Sequence, residues 1–290
     1  MKTIFLGMAL WLTALTTAAQ PAAEIYLFDL SSRKNSVSLT HPTNITNHKG
    51  YDNQPYFHPT ETKIYYSSFN EDGRSDIRVY DYKLMTSSAV TETPEREYSP
   101  TVTPDKGHLS CIIQRDNNAQ DLGKYSLDGG PADVIIDHLT IGYHVWADNS
   151  HLALFVLGTP NTLHYLRLPT KKDTILAENI GRSLHRIPGQ TAISFVHKVS
   201  EKEWLIKKLD TYTMQITTIT QTLPGRDDLC WLPDGKILMS DGTNLFFYTP
   251  GSQLQGWRKV NSPAISELKG ITRLAVSNDG KKIAVVVAEE

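Results

Sequence analysis

A short strand, a polar turn and a second, strongly apolar strand recur along these 290 residues at a spacing near 45. The clearest copy is Tyr51–Leu84, YDNQPYFHPTETKIYYSSFNEDGRSDIRVYDYKL. There the first strand ends at Phe57, and Lys63–Ser68 forms the second strand. Asn70–Arg74 is a turn, and Asp76–Asp81 reads as a third strand. Later copies pair a first strand with the apolar runs LSCII (109–113), LALFV (152–156), AISFV (192–196), ILMS (237–240) and IAVVV (283–287). Aligning the last residue of each first strand gives Phe57, Val102, Trp146, His185, Trp231 and Val276, at intervals of 45, 44, 39, 46 and 45. Turns such as Pro104-Asp105-Lys106-Gly107 and Pro233-Asp234-Gly235 join the two strands. They suit a reversal because Asp bonds its own backbone and Gly accepts a positive φ. One such sheet cannot bury its own faces, so the repeat predicts stacked four-stranded units.

The sixth copy stops at Glu290, directly after its second strand, and so lacks two strands. Two spare strands stand near the start, Glu24–Leu30 and Ser36–Leu39. EIYLFDL parallels DIRVYDY of the first copy, with Ile25 matching Ile77 and Asp29 matching Asp81. The expected fold is therefore all-β: a six-bladed β-propeller of four-stranded antiparallel blades filling 20–290. Its last blade is built from 264–290 plus 24–40. Closure of this kind hides the edge strands that an open stack would expose.

The first residues read differently. One charge at Lys2, an apolar run over Ile4–Leu15 and the small residues Thr17-Ala18-Ala19 form a secretory leader over residues 1–19. Its removal implies export to the periplasm or beyond, with no transmembrane segment in the mature chain. The formal net charge of −2 becomes −3 without Lys2, and no basic block suggests nucleic acid. Cys111 and Cys230 sit in apolar strand patterns of well-separated copies, so two free, buried thiols are expected.

The motifs FHPTETKIYYSSFNEDGRSDIRVYD, VTPDKGHLSCII, WLPDGKILMS and VSNDGKKIAVVV resemble the TolB-like propeller repeat, also called PD40 or WD40-like. The resemblance covers residues 24–290, weakly in the fourth copy. It implies the propeller portion alone, without the separate N-terminal domain of TolB. The family includes envelope binding proteins and propellers attached to peptidases or polysaccharide lyases. The motif specifies blade architecture rather than activity.

In a propeller the inner strands line the channel. Three positions before each aligned anchor stand Gln54, Ser99, Tyr143, Arg182, Asp228 and Arg273, and one position earlier Asn53, Tyr98, Gly142, Gly181, Asp227 and Thr272. Asn53, Gln54, Tyr98, Ser99, Tyr143, Arg182, Asp227, Asp228 and Arg273 are the candidate binding residues at one channel mouth. His144 and His185 are weak metal candidates: they fall in different columns and lack convergent companions, so neither metal nor cofactor is expected. Asp227 and Asp228 are adjacent and face opposite ways on a strand, which argues against a cooperating acid/base pair. No G-x-S-x-G, H-E-x-x-H or glycine-rich phosphate loop occurs. The reading that follows is a monomeric binding or scaffolding module for an envelope protein or glycan. The alternatives are a polysaccharide-lyase or hydrolase-like enzyme with a channel-mouth site, and a purely structural module of a larger envelope assembly.

Overall fold

The structure is a computed structural model and describes residues 21–254, 256–263 and 268–289. The expected leader, and the expected start of the last blade at 264, lie outside the described residues. Among the described residues, 24 strands form six four-stranded antiparallel sheets arranged as a propeller. The inner strands are Asp52–Phe57, Arg96–Val102, Ile141–Trp146, Ile180–Arg186, Leu229–Trp231 and Arg273–Val276. They begin blades one to six in that order.

The last blade is closed as its sequence implied. Arg273–Val276 pairs with Lys282–Ala288, which pairs with Ala23–Arg33, which pairs with Ser36–Asn44. The N-terminal strands therefore reach beyond 24–40 at both ends. The match with blade one holds residue for residue. Asp29 lies opposite Lys282 as Asp81 lies opposite Lys63, and Ile25 and Ile77 are both fully buried. Lys282 Nζ donates to Asp29 Oδ1 at 2.5 Å across the closing pair.

The core lies between blades. Six apolar clusters each occupy one seam. Side chains alternate across a strand, so each second strand serves two seams. Ile283, Val285 and Val287 pack toward blade five, whereas Ala284 and Val286 pack toward blade one. Burial on both faces is why these strands read as unbroken apolar runs rather than as alternating ones. Two indole latches add polar links between blades. Trp146 Nε1 donates to Ser110 Oγ at 2.9 Å, and Trp231 Nε1 donates to Ser194 Oγ at 2.8 Å. Cys111 and Cys230 are free and buried.

Blade four corrects the alignment. Arg186, not His185, lies opposite Ile193 as Phe57 lies opposite Ile64. Its inner strand runs four positions, Ile180 to Leu184, against two on its partner, His197 to Phe195. With Arg186 as the anchor, the intervals 39 and 46 become 40 and 45.

Equivalent positions predict equivalent losses. Ile25→Ala and Ile77→Ala each empty a fully buried site on a third strand. Each is expected to cost roughly 2–5 kcal/mol by chemical denaturation. A loss at Ile77 with none at Ile25 would mean that the first strand is not integral to the ring.

Candidate functional site

Extra residues in the inner strands shape one end of the channel. In blades one and two a single-residue bulge falls at Gln54-Pro55 and Ser99-Pro100. Gln54 and Ser99 carry positive φ, 58° and 54°. A left-handed non-glycine residue costs on the order of 1–3 kcal/mol and persists only where its surroundings hold it. Here Gln54 Oε1 accepts from the Ser99 amide at 2.7 Å and from Ser67 Oγ at 3.0 Å, tying blade one to blade two.

Gln54, Ser99, Tyr143, Arg182, Asp228 and Arg273 all line a central cavity of about 1260 Å³. Asn53, Tyr98 and Asp227 stand outside that lining. Asn53 is buried, and its Oδ1 accepts from the Gln54 amide at 2.8 Å. Tyr98 packs edge-on against Tyr51 at 6.5 Å. Asp227 pairs with Lys198 Nζ at 2.9 Å and lies 3.9 Å from Arg182. Gly181 permits that approach, because a Cβ there would sit 2.9 Å from the Asp227 Cβ.

The six lining residues are cross-linked rather than open. Arg182 Nη2 donates to Asp228 Oδ2 at 2.5 Å, and Arg273 Nη1 approaches Asp228 Oδ1 at 3.4 Å. Arg273 Nη2 also donates to the Tyr143 hydroxyl at 2.7 Å, with its guanidinium 4.9 Å from that ring's centre. Tyr143 is in blade three and Arg273 in blade six, opposite members of a ring of six. Their bond therefore spans the channel and forms a floor where the sequence suggested a mouth. Burial would depress the Arg182 pKa, but the adjacent Asp228 carboxylate overrides it and holds the group above its usual value. The other end of the cavity is rimmed by the inner turns, at Pro59, Lys106, Asn149, Gly189, Pro233 and Asn278. Lys106, Asn149, Gly189, Pro233 and Asn278 are solvent-exposed.

The two histidines serve different neighbours. His144 Nε2 lies 2.7 Å from Ser110 Oγ, beside the Trp146 latch. His185 Nε2 lies 2.9 Å from Ser183 Oγ, which accepts from the Leu229 amide. Burial lowers their pKa values to about 3 and about 4, so both are neutral at pH 7. Among the described residues no three His, Cys, Asp or Glu side chains converge as a metal-holding group.

Sequence reasoning missed the inner-turn rim, where proline, Lys106 and Arg186 meet the cavity. It also missed Asp52, beside the predicted Asn53. Asp52 is fully buried, neither carboxylate oxygen has a hydrogen-bond partner, and His48 Nε2 lies 3.3 Å away. Burial pushes its pKa up to about 6, against the opposing pull of the Ser68 hydroxyl and of His48.

No protein-family model matches the sequence, and no curated protein matches it. Solved structures do resemble the fold. An oligogalacturonate lyase in complex with manganese superposes with a TM-score of 0.60 at 14% identity, over 88% of this chain and 83% of that one. A protein assigned as TolB from Agrobacterium tumefaciens gives 0.67 at 12%, over 93% and 99%. TolB from Acinetobacter baumannii gives 0.59 at 14%, over 93% of this chain and 64% of that longer one. At these identities the shared feature is the propeller fold.

Two substitutions test the energetics. Asp228→Asn removes the carboxylate that Arg182 and Arg273 share. It is expected to cost roughly 2–4 kcal/mol, less than for a fully buried pair because the Arg182 side chain is 37% exposed. Asp52 behaves in the opposite sense. Its folded pKa exceeds the unfolded value, so the folded state holds the proton more tightly and stability falls as pH rises from about 4 to about 6. Asp52→Asn should therefore gain roughly 1–3 kcal/mol at pH 7.5. That gain should vanish at pH 4, as read by thermal denaturation at both pH values.

Proposed function

We propose that this chain is an exported, TolB-like propeller that works as a monomeric binding module for an envelope protein or glycan and catalyses nothing itself. Residues 1–19 are its leader, and it acts in the periplasm or outside the cell. The observation that carries this reading is the mutual saturation of the channel floor. Asp228 is held between two arginines, and Asp227 faces Lys198 and Arg182. These carboxylates are already engaged by cations of the protein itself, and the two neutral histidines have each a serine for a partner. A floor of this kind holds a fixed shape and charge for something to dock against. The likeness to TolB structures is compatible with this role.

The likeness to an oligogalacturonate lyase supports the rival reading, an enzyme acting in the same channel. One experiment separates them. The mature protein is immobilised and incubated with envelope extract, and in parallel incubated with polygalacturonate and manganese. The binding reading predicts stoichiometric retention of one partner, reduced by Arg186→Glu at the exposed rim, and no unsaturated uronide in the ultraviolet. Steady uronide formation would replace it with the enzyme reading. The exported protein is also expected to begin at Gln20 by N-terminal sequencing; a retained Met1 would contradict export by cleavage.

A further inference from the structure

The chain as a whole is formally −2, but its channel has the opposite sign. The charged side chains lining the cavity are Lys106, Arg182, Arg186 and Arg273 against Asp148 and Asp228, a surplus of two positive charges with both histidines neutral. Asp148 is further occupied by His151 at 2.9 Å and by turn amides. The surplus is arranged in depth. Lys106 and Arg186 are exposed at the inner-turn rim, and Arg182 and Arg273 share a single carboxylate at the floor. Low-dielectric walls with charge of one sign focus the field and draw in the opposite charge.

The walls between rim and floor select what carries that charge. Trp146 and Trp231 line the cavity, but both indole N–H groups are already spent on serines of the preceding blade. Phe57, Val102 and Val276 share their level, with Arg186 as its sixth and charged member, and Pro59, Pro104, Pro188 and Pro233 flank the entrance. Polar side chains such as Asn149, Gln190 and Asn278 lie toward the entrance, but the level of the two tryptophans offers mainly apolar contact. A polyhydroxylated sugar would lose its water there without replacement, whereas an apolar stem with an anionic tip would not. The cross-axis bond from Arg273 to Tyr143 obstructs approach from the other end.

We propose that the channel takes a carboxylate-bearing peptide segment of a partner protein, inserted through the inner-turn face so that its carboxylate docks on Arg182 and Arg273. Guanidinium groups suit the task because they meet a carboxylate in a planar, bidentate fashion. This inference rests on the binding-module reading and narrows it to an acidic peptide. Arg273 keeps Tyr143 and Arg182 keeps Asp228 until the incoming carboxylate shares them.

The test uses the mature protein and three probes: acetyl-Leu-Phe-Glu with free carboxylates, acetyl-Leu-Phe-Gln-amide, and glucuronate. Binding is followed by calorimetry and by tryptophan fluorescence. The expected result is saturable binding of the acid, with the amide weaker by about tenfold or more. Arg182→Gln, which leaves Asp228 paired with Arg273, should weaken the acid by about tenfold. Lys106→Glu, at an exposed turn away from the floor, should weaken it and flatten its salt dependence. Equal binding of acid and amide, no saturable binding of the acid, or tighter binding of glucuronate would each overturn the proposal. Retention of an envelope partner that is indifferent to Arg182→Gln would also overturn it and leave the binding-module reading standing.

Discussion

Everything in this molecule depends on the antiparallel pairing of Ala23–Arg33 with Lys282–Ala288. Each blade buries its faces only against its neighbours, so the ring has no stable open form in which all six seams are filled. The closing pair fills two of them at once. Phe28 and Leu30 join the seam with blade five, and Ile25 and Leu27 join the seam with blade one. A pairing between residues more than 250 positions apart thus fixes the geometry of the channel to which all six inner strands contribute.

With the ring closed, the inner strands bring together side chains that have no local relationship. Asp228, Arg182 and Arg273 come from blades five, four and six, and Tyr143 comes from blade three. The resulting floor is polar and internally paired, and the opposite end is apolar at its walls and positively charged at its rim. That asymmetry gives the channel a direction. The proposed binding role follows from it, because a pre-formed, charged, one-ended cavity discriminates by shape and charge without needing reactive groups.

Much of this was legible in the sequence, for a physical reason. Two-sided burial writes second strands as apolar runs such as IAVVV, and reversals require Asp and Gly, so period, blade number and closure could all be read from residue types. Five of the six channel positions were also legible, since a common spacing carries them to a common level; Arg182 was reached only through the misplaced His185 column and lines the cavity from within the blade-four bulge. The blade-four slip was not legible, because bulge residues between Ile180 and Leu184 lengthen a strand without changing its character. His185 was set in the wrong column for that reason. Nor could spacing reveal which end of the channel is open. That is decided by a bond between Arg273 and Tyr143, 130 residues apart. Asp52 hid for a third reason: nothing in an isolated Tyr-Asp-Asn marks a carboxylate that folding buries completely.

The proposed role is tested most directly by where a captured partner protects the propeller. Hydrogen exchange by mass spectrometry on the mature protein, free and with an envelope partner bound, reads this at peptide resolution. Slowed exchange concentrated in the inner turns 57–63, 102–108 and 186–192, with outer strands unchanged, is the predicted result. Protection confined to outer strands such as Lys172–Glu178 would contradict the account, placing the contact on the rim of the ring and leaving the channel without a part in binding.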